Sequence, residues 1–276
     1  MIFKFTYLIL SFLFPLQFLL SCSLKADGFD EEKIEIVYHI ATMGNWKEIV
    51  QEQIDTFAKS GLGDACDRMT VTVVGNQIEE VYPLFSCLKF YQKVKIIHSS
   101  EDFHQYEFPG IEAVRQIALQ DPNARILYVH SKGVTHYGKP SEQPSRFWRR
   151  YMEYFVIERW EDCINALVEA DICGVDWTQS TSGLPFYAGN FWWAKGEYVL
   201  TCKLNYNNRF DCEAFIGTGD YPIATSFHQS GRNPKLMHLY TYEAYPQFFH
   251  FPPSSPYHRG IMNLYRFCYL DEYYRY

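Results

Sequence analysis

The feature that most constrains the fold is an alternation of strand-like and helix-like periods that begins at Ile34. Ile34–Ala41 reads as a first strand, Met69–Val74 as a second, Val94–Ile97 as a third and Arg125–His130 as a fourth. Between them, Asn45–Lys59 carries Trp46, Ile49, Val50, Ile54 and Phe57 on one helical face, and Glu107–Gln120 repeats that pattern. Alternation of this kind gives an α/β fold, a mostly parallel sheet with helices on both faces. At 276 residues the chain accommodates one large domain of this type, expected over 27–276.

The fourth strand runs straight into His130-Ser131-Lys132-Gly133. In such folds, strand ends deliver polar groups to the carboxyl edge of the sheet, where ligands bind. The turn is therefore the first candidate site, although Ser-x-Gly turns also end strands for purely structural reasons. A net charge of -7 argues against a nucleic-acid partner, which demands surplus Lys and Arg. Aromatic residues make up 18% of the chain, more than an ordinary core requires, and rings also serve as stacking faces for sugars.

Residues 1–26 read as a signal peptide or membrane anchor: Phe5–Leu20 is almost wholly apolar, with Lys4 before it and Lys25 after it. Cleavage and retention are both open. Leu19-Leu20-Ser21-Cys22 also has the form of a lipidation site, which places the protein at a membrane or in the secretory pathway. The other seven cysteines show no CxxC pair and no zinc-type spacing, and suit disulfides or buried thiols equally.

Past a Gly- and Pro-containing loop at Thr135–Ser145, a candidate lid, the chain reads as a helix from Arg146 to roughly Ala170 and then a strand, Ile172–Trp177. The segments Tyr128–Gly133, Phe147–Tyr154, Cys173–Trp177, Ala188–Lys195 and Glu213–Gly217 together resemble a group of poorly characterised glycosyltransferase-like proteins with the GT-A nucleotide-sugar fold. The similarity covers roughly residues 33 to 230, and Gly189-Asn190-Phe191-Trp192-Trp193-Ala194 is its most specific block. It implies a nucleotide-diphosphate sugar over the carboxyl edge of the first strands and a glycan or glycoconjugate acceptor beside it. Typical members hold Mn²⁺ or Mg²⁺ with an Asp-x-Asp motif, where this chain has His130-Ser131-Lys132.

That departure leaves the metal open and makes Lys132 the candidate for balancing diphosphate charge, helped by the Gly133 turn. Asp176 offers a hard oxygen ligand to a cation, or a cap for the following turn. His228 falls where some GT-A enzymes bring a late His to the metal or diphosphate. Arg149 and Arg150 have guanidinium forks suited to phosphate. Gly189, Asn190 and Trp192 are expected to wall the sugar, with Trp192 and Trp193 on opposite faces if the block is a strand. By resemblance Glu213 opens the acceptor-side helix and acts as general base, with Asp211 as backup. Two alternatives stay open: a catalytically silent carbohydrate-binding protein of the same fold, and a glycoside hydrolase using carboxylates such as Asp176 and Glu213.

Overall fold

The computed structural model describes residues 32–180 and 183–229. The expected leader, Cys22, Cys268 and the Tyr-rich stretch that follows Phe248 in the sequence lie outside them. The first half runs β1 (Ile34–Thr42), α1 (Trp46–Lys59), α2 (Leu62–Ala65), β2 (Arg68–Gly75), α3 (Val81–Phe85), β3 (Val94–Ser100), α4 (Phe108–Gln120) and β4 (Arg125–His130). The second runs α5 (Glu142–Glu153), α6 (Trp160–Ala166), β5 (Ile172–Gly174), β6 (Trp177–Gln179), β7 (Pro185–Tyr187), β8 (Trp192–Lys195), α7 (Gly196–Val199), α8 (Phe210–Ala214) and β9 (Ala224–Ser226).

Among the described residues the main sheet has seven strands in the order β3-β2-β1-β4-β8-β5-β9. All pairings are parallel except those of β8, which runs antiparallel to both β4 and β5. The fold is therefore α/β with a mostly parallel, Rossmann-like sheet, as the alternation predicts. Helices cover both faces, which is why β1, β2 and β4 are near-continuous apolar runs rather than alternations. One face packs Tyr38, Leu127, Val129 and Trp193 against α1 and α5 through Ile49, Ile54, Phe57 and Met152. The other packs Val37, Ile126, Tyr128 and Trp192 against Ile111, Val114 and Ile117 of α4. Trp192 and Trp193 thus fall on opposite faces, as two consecutive strand residues must.

Two expectations need correction. The helix expected from Arg146 to Ala170 breaks: Arg159 N–H bonds the carbonyl of Tyr154, five residues back, a π turn that ends α5 before α6 begins. The strand expected through Trp177 stops at Gly174, because Asp176 takes a left-handed φ of 52° that no strand accommodates. Cys66, Cys87, Cys163, Cys173, Cys202 and Cys212 are free thiols, all but Cys87 buried. Among the described residues no helix is long and apolar enough to cross a membrane.

Candidate functional site

From β1 the chain steps outward through β2 to β3, then returns to place β4 on the other side of β1. Such a reversal splays the loops that leave the two central strands and opens a crevice at their carboxyl ends. Here the loops are Met43–Asn45 after β1 and Ser131–Gly133 after β4.

Ser131 ties the crevice floor together. Its N–H donates to the carbonyl of His39 and its Oγ accepts the N–H of Ala41 at 2.9 Å, so β4 is stapled to β1 where both end. The chain then turns tightly, with Lys132 N–H bonded to the His130 carbonyl at 2.7 Å and Gly133 at φ 108°. This turn carries the Lys132 ammonium over the indole of Trp148 on α5, 4.0 Å from the ring centroid. Lys132 makes no ion pair among the described residues. Burial lowers its pKa, an effect opposed by the nearby charges of Glu213 and Glu107 and reinforced by those of Arg209 and Arg149.

His130 points to the α4 face. Its Nε2 donates to the carbonyl of Gly189 at 3.1 Å, and burial drives its pKa down to about 3, so the ring is neutral. Gly189 and Asn190 turn between β7 and β8 with φ of 96° and 61°. A Cβ on Gly189 would meet Met152 Sδ at 2.4 Å, so both conformation and space demand glycine. Asn190 is buried, donating from Nδ2 to Glu107 Oε2 at 2.8 Å and accepting the indole N–H of Trp192 at 2.8 Å. Trp192 itself is 0% exposed, which corrects its expected place in a sugar wall. The aromatic face at the crevice is Trp148.

Glu213, on α8, makes no hydrogen bond or ion pair among the described residues, and its charge is felt by both Lys132 and His130. Asp211 is engaged elsewhere: its Oδ2 accepts the N–H groups of Asn207 and Asn208 at 2.8 and 3.1 Å, which fixes the loop into α8. Arg149 and Arg150 are also committed. Arg149 is 2% exposed and bonds Glu52 at 2.6 Å and the Lys132 carbonyl at 2.9 Å, while its Nε lies 3.4 Å from Glu153. Arg150 bonds Thr56, Glu153 and Glu158. These forks weld α5 to α1 and to the turn, and none is left over for a phosphate.

Asp176 and His228 sit together, joined by a bond from the Asp176 N–H to the His228 carbonyl at 2.9 Å. The His228 ring is stacked on Phe155, and its Nδ1 is paired with the hydroxyl of Tyr151 at 2.6 Å. Among the described residues no cluster of three His, Cys, Asp or Glu suited to a metal is found.

The crevice thus unites His130, Ser131, Lys132, Gly133, Gly189, Asn190 and Glu213. It adds Glu107 and Trp148, which sequence reading takes only as a helix start and a helix residue. Beyond Gly133 a cavity of about 640 Å³ opens between α1 and α5, lined among others by Asn45, Glu48, Lys139 and Arg146.

No curated protein matches the sequence. Among solved structures, the 4-diphosphocytidyl-2C-methyl-D-erythritolsynthase from Anaerococcus prevotii DSM 20548 is similar with a TM-score of 0.38 and 9% identity, covering 72% of this chain and 90% of that one. A likeness that distant carries no argument about chemistry. Residues 36–213 match a family described as a domain of unknown function (DUF8361). That match spans more than half of the chain, and the chain belongs to the DUF8361 family.

Proposed function

We propose that the protein is a glycosyltransferase that takes a nucleotide-diphosphate sugar at the carboxyl edge of β1 and β4 and passes the sugar to a hydroxyl of a glycan or glycoconjugate. The observation that carries this reading is Lys132, a cation held over Trp148 at the reversal point of the sheet with no ion-pair partner among the described residues. A partly buried ammonium without a counterion is costly unless an anion arrives.

In the proposed reaction the acceptor oxygen attacks the anomeric carbon while the bond from that carbon to the diphosphate oxygen breaks. Glu213 takes the acceptor proton, and the negative charge gathering on the leaving diphosphate is met by Lys132 and the backbone N–H groups of the turn. Lys132 supplies there the charge that a metal supplies in Asp-x-Asp enzymes. The apolar N-terminal segment, Phe5–Leu20, would place this activity at a membrane.

The test is a thermal-shift screen of the protein against UDP, GDP, UDP-sugars and GDP-sugars, with and without Mn²⁺. Ligand at a hundred times its Kd adds about 2.7 kcal/mol, a shift readily measured. Stabilisation by one nucleotide family, lost in Lys132→Ala, is expected; no shift from any donor sinks the reading. Binding without sugar transfer would favour the silent carbohydrate-binding alternative.

A further inference from the structure

Glu107 presents an asymmetric carboxylate to the crevice. Its Oε2 accepts two hydrogen bonds, from the Tyr128 hydroxyl at 2.9 Å and from Asn190 Nδ2 at 2.8 Å. Its Oε1 accepts none among the described residues, and lies 3.8 Å from His130 Nδ1. The tautomer of His130 follows from its other nitrogen. A carbonyl can only accept, so Nε2, bonded to Gly189 O, carries the proton. In the neutral ring Nδ1 is then a lone pair, and burial keeps the ring neutral.

Two acceptors therefore face each other with no hydrogen between them. Neither can satisfy the other, and at 3.8 Å they are too far apart for a direct hydrogen bond in any case. A donor placed between them would bond both. Tyr128 and Asn190 hold the Glu107 carboxylate through Oε2, and the side chain keeps 21% exposure. The charges of Lys132 and Glu213 act on His130 in the same space.

We propose that Glu107 Oε1 and His130 Nδ1 form a hydroxyl-recognition subsite, which takes a sugar hydroxyl of the ligand whose phosphate rests on Lys132. The subsite rests on the transferase reading for the identity of its ligand, and it makes Glu107 a specificity-determining residue. Leaving such acceptors without a donor is what lets a site reject an analogue that lacks the hydroxyl.

Two measurements on the full chain test it. Nitrogen-15 NMR of the histidine rings at pH 7 is expected to find His130 as the neutral Nε2–H tautomer; a doubly protonated ring would make Nδ1 a donor to Glu107 and overturn the subsite. Calorimetric titration then compares UDP-glucose with UDP and GDP-mannose with GDP, on the wild type and on Glu107→Gln. The glutamine keeps an oxygen for Tyr128 and Asn190 while its amide N–H replaces the acceptor at Oε1 with a donor. Expected is a loss of about tenfold to a hundredfold for the nucleotide sugar with the bare nucleotide unchanged. Equal losses for both, or none, overturn the subsite and reduce Glu107 to a structural role. A bare nucleotide that binds as tightly as its sugar on the wild type overturns the subsite alone, a result independent of whether the variant folds. Failure of all four ligands to bind overturns the transferase reading and the subsite with it.

Discussion

Two groups of charge flank the carboxyl end of β4, and they are built on opposite plans. On α5, Arg146, Arg149 and Arg150 meet Glu52, Glu153 and Glu158 in a continuous network of ion pairs, and two of its members, Arg149 and Glu153, are buried. A few residues away, Lys132, Glu213 and the facing acceptors of Glu107 and His130 have no such mutual satisfaction. Paired charge of the first kind holds helices in register. Unpaired charge of the second kind costs stability, and a fold retains it where a ligand completes it. The contrast separates scaffold from site more sharply than residue type does, since both groups are rich in the same basic and acidic residues.

The largest way to strain the site side is acid. His39 and His130 are register neighbours on β1 and β4, and burial lowers both, to about 4 and about 3. Because these values lie below the unfolded value near 6.5, the unfolded chain binds protons first. Their contribution is complete above pH 6.5 and drains as pH falls toward 4, at up to about 1.4 kcal/mol per pH unit for each histidine. Urea unfolding at pH 7, 6 and 5 should lose several kcal/mol across that span, and His39→Gln should remove about half of the slope. A stability independent of pH between 7 and 5 would mean that these rings are not held neutral.

The scaffold side breaks differently. Removing the charge of Glu153, which is 0% exposed, takes one partner each from Arg149 and Arg150, and the loss of one partner from a buried ion pair costs about 3–5 kcal/mol. Glu153→Gln should lower the unfolding free energy from urea titration by that amount while leaving ligand affinity, measured on the protein that remains folded, nearly intact. A weaker effect than about 1 kcal/mol would show that Glu52 alone satisfies Arg149.

How much of this was legible in the chain follows from how far apart the partners lie. The sheet was legible because periodicity is local: β1, β2, β3 and β4 are each within a few residues of the predicted strands, and the opposite facing of Trp192 and Trp193 follows from strand geometry alone. The His130–Gly133 turn was legible as a site because strand ends are where such folds expose polar groups. Glu107 was not, since its two donors lie 21 and 83 residues away and nothing beside it in sequence distinguishes it from a helix-starting acid. Arg149 misled for the same reason: Glu52, which consumes its fork, is 97 residues distant. The π turn at Tyr154–Glu158 has no local sequence signal that separates it from ordinary helix.

The finest test of the comparison is Lys132→Met. A scaffold cation of this burial would be missed severely, as Glu153 should be, because its removal leaves a counterion behind. Lys132 breaks no ion pair on removal; what vanishes is its contact with Trp148, worth about 0.5–2 kcal/mol, the longer-range attraction of Glu213 and Glu107, and the desolvation cost that lowers its pKa. These oppose each other, and methionine packs on the indole in place of the lysine stem. The expected change in unfolding free energy is therefore within about 1 kcal/mol in either direction, set beside a loss of nucleotide-dependent stabilisation. Severe destabilisation without ligand would place Lys132 with the scaffold, and the distinction between the two groups of charge would then fail at the residue on which the proposed function depends.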